Sequence, residues 1–383
     1  MKEKLFFGFL TGFLLILQVV KPANAVSNPL ERANNKVGVH ILDPNEIDRV
    51  SDLINSNGGD WGYVTVPLRA DDRNRLKWQR FFEVCQEKHI IPIVRLATTM
   101  RPYGWEKPTL YESVDFANFL NDLDWPVKNH YVTVYNEPNH ASEWGGAVDP
   151  ADYGRILQGT IEIFKNRSDD FFILPAGLDA AAPNDKKHQS FYTFISQLNY
   201  SHPQALQNID GWTSHSYPNP GFSGFPTDNH SQSINSFKHE ATFIKNLTGK
   251  DLPVFITETG WQNRALSDKT IATFYDEAFK NIWNDNRVVA VTPFVLLAGD
   301  GPFKPFSLLS GNSEEKPQYQ TIKSLPKAAG QPEETTQTIA SSNVLGVSKE
   351  KANNIKPGSD EKSFIWGKEN WRRFFEWLMI EYK

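Results

Sequence analysis

Strand-like and helix-like segments alternate over most of this chain, and that alternation limits the folds it can adopt more than any other feature. Eight segments are rich in Val, Ile, Phe and Tyr, and several are continuous apolar runs typical of parallel strands buried on both faces. They are residues 37–42, 63–68, 90–97, 131–135, 171–177, 211–217, 253–257 and 288–297. With helical periodicity between them, they predict an α/β fold of the (β/α)8, or TIM, barrel type. A doubly wound sheet is the alternative, because periodicity does not distinguish an open from a closed sheet.

Local signals support this alternation. Asp149 followed by Pro150 predicts the N-cap and first residue of a helix. Cys85 lies in a helical apolar pattern and is predicted to be a buried core thiol. It is the only cysteine, so no internal disulfide can form and the core must stabilise the fold.

Composition divides the chain into four parts. Residues 26–326 carry the barrel pattern and form the predicted catalytic domain, and residues 327–362 are polar and predict a flexible linker. Residues 363–383 are rich in aromatic side chains and predict a short terminal helix, which either docks on protein or contacts a membrane or wall surface. The formal net charge is −5 over 383 residues, with no basic stripe, so nucleic acid is not expected as a partner.

The first 25 residues are typical of an export signal. Lys2 and Lys4 precede an apolar run over residues 5–20, and Ala23-Asn24-Ala25 is a small-residue cleavage site. The run is short for a membrane span. We therefore expect cleavage after Ala25 and a secreted or cell-surface protein, with an uncleaved membrane anchor as the alternative.

Two short stretches point to chemistry. Val-Tyr-Asn-Glu-Pro-Asn surrounds Glu137, and Phe-Ile-Thr-Glu-Thr-Gly-Trp surrounds Glu258. Each glutamate ends a predicted strand, and the C-terminal ends of barrel strands are where such enzymes place their catalytic groups. Two carboxyl groups on separate strands are what cleavage of a glycosidic bond needs, because one protonates the leaving oxygen and the other acts at the anomeric carbon.

These stretches resemble the ends of strands 4 and 7 in clan A glycoside hydrolases, the cellulase-like retaining (β/α)8-barrel glycosidases. The resemblance implies that Glu137 is the acid/base, that Glu258 is the nucleophile, and that Asn136 binds the sugar 2-hydroxyl. Pro138 removes a backbone donor and is expected to stop the strand.

The sixth predicted strand extends the resemblance. It carries His215 and Tyr217 in a His-x-Tyr pattern. The resemblance implies that Tyr217 hydrogen-bonds the nucleophile and that His215 lines the sugar subsite. It also implies an arginine near the nucleophile, for which Arg69 and Arg95 both qualify. We prefer Arg95, because it interrupts an apolar strand and would find a partner in Glu258.

Aromatic residues near the strand ends are candidates for sugar binding. Trp261 follows the nucleophile motif and is expected to present its ring to the cleft. Trp105 and Trp144 follow the third and fourth strands, where they would either stack on sugar rings or anchor loops against the rim. Phe294 stands near the place where clan A enzymes often have a tryptophan at the end of strand 8. The histidines show no metal-ligand spacing, so no metal or other cofactor is expected.

The sequence therefore predicts an exported retaining β-glycoside hydrolase that acts on an oligosaccharide or polysaccharide. Two alternatives stay open. A non-catalytic sugar-binding or wall-associated barrel would keep the cleft, although both glutamates are present. A transglycosylase would share the whole active site. The sequence does not specify the sugar, the linkage, endo or exo attack, or the oligomeric state.

Overall fold

The structure, a computed structural model, describes residues 26–335. The predicted signal peptide, the greater part of the predicted linker and the predicted terminal helix lie outside the described residues. Within residues 26–335, no helix is both long enough and apolar enough to cross a membrane.

Eight parallel strands in the described part form the core of the fold, in two sheets of sequential order. The first sheet joins β1 to β5, and the second joins β6 to β8. The strands are β1 Gly38–His40, β2 Gly62–Arg69, β3 Ile90–Ala97, β4 His130–Val134, β5 Phe171–Pro175, β6 Trp212–His215, β7 Val254–Glu258 and β8 Val288–Val291. Each overlaps one of the eight predicted segments, so the predicted strand order is confirmed.

Isolated backbone bridges connect the two sheets into a ring. Val37 bridges Val291 in parallel between β1 and β8, and the amide of Val291 donates to the Lys36 carbonyl at 2.8 Å. On the other side, Asp179 bridges His215 between the ends of β5 and β6. The fold is the predicted (β/α)8 barrel.

Helices pack around this ring and cover the outer faces of the strands. In the described residues they are α1 Ser51–Ile54, α2 Arg75–Glu87, α3 Leu110–Asn121, α4 Pro150–Lys165, α5 Phe191–Ser201, α6 Pro203–Gln207, α7 Ser236–Thr248, α8 Asp268–Glu277 and α9 Pro317–Ser324. Asp149 caps α4 by accepting from the Asp152 amide at 3.0 Å, with Pro150 as the first residue of the helix, as predicted. Cys85 is fully buried in α2, which is also as predicted.

Two strands end earlier than the sequence indicates. The chain leaves β4 after Val134, because Tyr135 adopts a left-handed φ of 68°, rather than at Pro138. The strand β8 ends at Val291, and Pro293, which has no backbone donor, follows two residues later. Both strand ends lie on the C-terminal side of the barrel.

Both ends of the described chain cover the N-terminal side of the barrel. The Gln331 amide donates to the Ala33 carbonyl at 2.8 Å, the Lys128 amide donates to Glu333 at 2.7 Å, and Arg32 pairs with Glu333 at 3.3 Å. Residues 327–335, which the polar composition assigned to a flexible linker, are therefore ordered by backbone hydrogen bonds. Composition cannot reveal such bonds, since main-chain groups make them.

Candidate active site

Glu137 and Glu258 face each other at the C-terminal side of the barrel. Glu258 is the last residue of β7, and Glu137 lies three residues beyond the end of β4. One carboxylate oxygen of each lies within 4.8 Å of the other and of a ring nitrogen of His215. Glu258 is buried and Glu137 is partly exposed.

The backbone of Glu137 adopts an unfavourable φ, and neighbouring residues hold it in that conformation. Its φ is 29°, which L-residues rarely adopt. Its amide donates to the carbonyl of Gly177, after β5, at 3.1 Å. Strain of this kind concentrates at functional sites, where the surrounding structure compensates for it.

His215 lies between the two glutamates. Its Nδ1 is 2.8 Å from Glu137 Oε1 and 3.9 Å from Glu258 Oε2. Burial alone would lower the pKa of His215, but the charges of Glu258 and Glu137 outweigh it, so the pKa lies above its usual value. The His215 side chain is almost completely buried, and its predicted place in a sugar subsite stays a prediction. Its contacts orient the catalytic pair.

Glu258 is surrounded by groups that favour its charged form. The Tyr217 hydroxyl donates to Glu258 Oε2 at 3.1 Å, the contact that the resemblance to clan A enzymes implies. Burial alone would raise the pKa of Glu258, but the charges of His215 and Arg95 and the Tyr217 hydrogen bond hold it below its usual value. Glu258 is therefore a carboxylate at neutral pH.

Of the two candidate arginines, Arg95 is the one whose charge acts on Glu258. Arg69 pairs with Asp71 at 2.9 Å. Arg95, on β3, lowers the pKa of Glu258 through its charge, and its Nε is buried with no hydrogen-bond partner among the described residues. The preference for Arg95 agrees with this geometry, but the interaction is through space rather than a close ion pair.

His40 contributes a neutral ring at the end of β1. Its Nε2 is 3.6 Å from Glu258 Oε1, and burial lowers its pKa to about 3. Phe294 packs edge-on against the His40 ring at 5.1 Å. The position expected for a tryptophan thus carries a phenylalanine that supports His40, and Phe294 itself is buried.

A second polar layer surrounds Glu137. Asn136 donates from Nδ2 to Glu143 Oε2 at 3.3 Å, and His140 Nε2 lies 3.0 Å from Asp179 Oδ2. Burial lowers the pKa of His140, but the hydrogen bond to Asp179 and the charges of Glu137 and its neighbours raise it to about 9 overall. His140 is therefore a cation at neutral pH.

Two of the three predicted aromatic platforms lie elsewhere. Trp261 is 1% exposed and packs against Tyr275 and Trp283, while its Nε1 donates to the Gly224 carbonyl at 2.7 Å. Trp144 is also 1% exposed, and its Nε1 donates to Asp152 at 3.2 Å. The expectation that Trp261 presents its ring to the cleft is wrong, because the ring is buried. For Trp144 the alternative holds, since the buried ring anchors its loop to Asp152 at the start of α4. Trp105 is half-buried, and its stacking role stays a prediction.

Among the described residues, one group of side chains has ligand atoms close enough together to hold a metal ion: Glu137, His215 and Glu258. Each already has a partner within the site. Glu137 is bound by His215, and Glu258 is bound by Tyr217. The short distances within this group therefore follow from hydrogen bonds within the site, in which His215 lies between the two carboxylates.

Sequence reasoning missed several residues of the site. His40 is the last residue of β1, and Asp179 lies four residues beyond the end of β5, both on the C-terminal side, so the rule that found the glutamates would also have found them. His140 and Glu143 lie a few residues after Glu137 in the same loop. The close packing of His215 on Gly177 has no signal in a single sequence.

The barrel carries two glutamates on its C-terminal side, one after β4 and one at the end of β7. A histidine lies between them and a tyrosine donates to the second. This combination of fold and site is that of a glycoside hydrolase. Residues 102–318 match the family model of the glycosyl hydrolase catalytic core, which is more than half of the chain. The chain belongs to this family. The predicted relation to glycoside hydrolases is thereby confirmed.

Solved structures show the same fold at low sequence identity. A family 39 glycoside hydrolase from Bacteroides cellulosilyticus WH2 has a TM-score of 0.56 at 18% identity, over 78% of this chain and 64% of that one. A GH5_18 enzyme from Streptomyces cattleya, in complex with GlcNAc, has a TM-score of 0.54 at 17% identity, over 76% of this chain and 79% of that one. A GH128 endo-β-1,3-glucanase from Sorangium cellulosum has a TM-score of 0.52 at 14% identity, over 76% of this chain and 98% of that one. The chain thus spans less than two thirds of the family 39 enzyme. No curated protein sequence matches it.

Proposed function

We propose that this protein is a retaining β-glycoside hydrolase that cleaves an oligosaccharide or polysaccharide by double displacement. One observation carries the proposal: carboxylate oxygens of Glu137 and Glu258 approach within 4.8 Å. Retaining enzymes hold their carboxyl groups about 5–5.5 Å apart, whereas inverting enzymes need about 6.5–9.5 Å to fit a water molecule. The short separation supports direct attack by a glutamate.

In the first step Glu258 attacks the anomeric carbon and forms a glycosyl ester, while Glu137 transfers a proton to the leaving oxygen. In the second step Glu137 takes a proton from water, and that water displaces Glu258 from the anomeric carbon. The ester bond breaks, the sugar leaves as a free hemiacetal, and both glutamates regain their starting states. The environment of Glu258 suits the attacking role, because its lowered pKa keeps it ionised.

The roles of the two glutamates are tested by replacing Glu258. Glu258→Ala should abolish turnover of aryl β-glycosides and leave the melting temperature near that of the wild type. Azide should then restore part of the rate and give a glycosyl azide of inverted configuration, because a small anion can enter the vacated space. Glu314→Ala, at an exposed loop glutamate, is the matched control. Near-normal activity of Glu258→Ala would refute the assignment.

The stereochemistry tests both glutamates together. Wild-type enzyme should be screened against aryl β-glycosides and soluble β-glucans, mannans and xylans. Proton NMR of the first-formed product should show the β anomer, the configuration of the substrate. A first-formed α anomer would overturn the retaining mechanism. Absence of turnover on the whole panel would favour the non-catalytic sugar-binding barrel.

We also propose that the protein is exported and cleaved after Ala25. The support is the sequence of the first 25 residues, with its basic start, apolar run and small-residue site. The mass of the protein secreted by its host should correspond to a chain that begins at Val26. Retention of residues 1–25 in a membrane fraction would instead favour the uncleaved anchor.

A further inference from the structure

The pairing of β6 with β7 is irregular beside the catalytic residues. The two strands are in register up to Ser214, which lies opposite Ile256. The next pair joins His215 to Glu258, which leaves Thr257 as an extra residue on β7. An extra residue of this kind disrupts the hydrogen-bond ladder and re-aims the side chains beside it, and it is common next to active sites. The ends of β6 and β7 are therefore not placed by a continuous ladder.

Beyond this irregularity, the chain that carries Tyr217 turns back on itself. The strand β6 ends at His215, and the amide of Tyr217 donates to the His215 carbonyl at 3.0 Å. Ser216 is thus the central residue of a three-residue turn. The main-chain donor of Tyr217 is used within this turn rather than on β7, while its hydroxyl donates to Glu258 at 3.1 Å. Another contact is therefore needed to hold the turn against the end of β7.

The side chain of Thr259 makes this contact. Thr259 directly follows Glu258, and its Oγ1 donates to the Ser216 carbonyl at 2.6 Å. Thr259 and Ser216 are both fully buried, so water does not compete for this carbonyl. On its other side, Ser216 Oγ lies 2.8 Å from Ser214 Oγ and accepts from Ser236 Oγ, at the start of α7, at 3.0 Å. The turn is therefore bound to β7 on one side and to α7 on the other.

We propose that Thr259 is a positioning residue whose hydroxyl binds the turn at Ser216 to β7 and so sets the position of Tyr217 relative to Glu258. This proposal rests on the proposed glycosidase function, in which Glu258 is the nucleophile. Thr259 acts through Tyr217, because its own hydroxyl is bound to a main-chain carbonyl and does not reach the reacting atoms. The role belongs to the hydroxyl and not to the volume of the side chain, so the two can be separated by substitution.

Three substitutions distinguish the hydroxyl from simple packing. Thr259→Val keeps the shape and removes the donor, and it should lower kcat on aryl β-glycosides about 3- to 10-fold, as expected for the loss of one hydrogen bond. Thr259→Ser keeps the donor and should retain most of the activity. Thr257→Val is the matched control, because Thr257 is buried on the same strand and its Oγ1 has no hydrogen-bond partner in the part of the chain that the structure describes. An unchanged kcat in Thr259→Val, or a Thr259→Ser variant as slow as Thr259→Val, would overturn the proposal.

A double-mutant cycle shows whether Thr259 acts through Tyr217. In a Tyr217→Phe background, Thr259→Val should lower kcat less than about twofold further, because the contact that Thr259 maintains is already lost. A full additional loss would show that Thr259 acts by general packing and would overturn the proposed role. If Thr259→Val does not fold, Thr259→Ala replaces it in every comparison, since it also lacks the donor and leaves space for a water on the Ser216 carbonyl.

The charge state of Glu258 gives a second measure of the same contact. The charged and titratable groups that face its carboxylate are His40 on β1, Arg95 on β3, Glu137 after β4, His215 on β6 and Tyr217. The Tyr217 hydrogen bond is one of the interactions that hold the pKa of Glu258 below its usual value. A displaced Tyr217 should therefore raise this pKa.

A measurement that needs no substrate separates this inference from the proposed function. The carbon-13 NMR signal of the Glu258 carboxyl group, assigned by its absence in Glu258→Gln, should titrate at a higher pH in Thr259→Val than in the wild type or Thr257→Val. An unchanged midpoint in an active enzyme would overturn the role of Thr259 and leave the glycosidase standing. A raised midpoint in a chain that turns over no glycoside would support the Thr259 contact and overturn the proposed function.

Discussion

Gly177→Ala should disrupt the active site through a single added methyl group. Gly177 follows β5, and an ideal Cβ there would lie 2.2 Å from His215 Cδ2 and 2.4 Å from His215 Nε2. Ordinary contact begins near 3.4 Å, so the imidazole would have to move by about 1.2 Å. The ring also makes the 2.8 Å hydrogen bond to Glu137, and the Gly177 carbonyl accepts from the Glu137 amide.

The expected loss follows from these contacts. Displacing His215 either breaks its hydrogen bond to Glu137 or shifts the carboxylate with it. A hydrogen bond to a charged group contributes about 1.5–3 kcal/mol, and a misplacement of about 1 Å in an active site costs about 100-fold. We expect kcat/KM to fall about 10- to 100-fold, with overpacking lowering the free energy of unfolding by about 1–3 kcal/mol.

The assay compares two substrates. Because Glu137 supplies the proton, the loss should be greater for a glycoside with a poor leaving group than for an activated aryl glycoside. Gly299→Ala is the matched control, since a Cβ at that exposed glycine meets nothing within 4 Å. If Gly177→Ala and Gly299→Ala have the same kcat/KM on both substrates, His215 does not position Glu137 and the reasoning is refuted.

Three further predictions concern two residues of the active site, Glu137 and Tyr217, and one residue away from it, Glu46. Glu137→Ala should slow substrates with poor leaving groups about 10²–10⁴-fold more than activated ones, and an equal loss on both would remove Glu137 from the acid role. Tyr217→Phe breaks the 3.1 Å bond to Glu258 and should lower kcat about 10-fold on both substrates; an unchanged kcat would show that the bond does not matter. Burial raises the pKa of Glu46 to about 7, so the folded state holds this proton more tightly than the unfolded chain does. Stability should therefore fall by roughly 1–3 kcal/mol as the pH rises from about 4.5 to 7, and urea denaturation should show that Glu46→Gln abolishes this fall; a fall that persists in the variant would contradict the assignment.

The sequence predicted the barrel because its signals are local. Apolar runs, helical periodicity and turn residues depend on neighbours in the chain, and they placed all eight strands. The glutamates could be predicted for the same reason, since each stands at or a few residues beyond a strand end within a short motif. The role of Tyr217 was implied by the resemblance to clan A enzymes, and the side chain does contact Glu258.

What the sequence could not predict depends on contacts between distant segments. Trp261 stands just beyond a strand end and Trp144 lies in the loop after β4, yet their rings pack against Tyr275 of α8 and Tyr153 of α4, which no local pattern records. The burial of His215 between two carboxylates depends on the space left by Gly177, which follows a different strand, β5. The order of residues 327–335 depends on backbone bonds to segments some 200–300 residues earlier in the chain.

The adjacent ends of the described chain have a practical consequence for attaching the enzyme to a surface. Residues 33 and 331 are joined by a backbone hydrogen bond on the side of the barrel opposite Glu137 and Glu258. A tether fused before residue 26 or after residue 335 would therefore leave from the same side. Immobilised through either end, or through both at once, the barrel would turn its cleft outward, and the rate on an insoluble polysaccharide should depend little on which end is fixed.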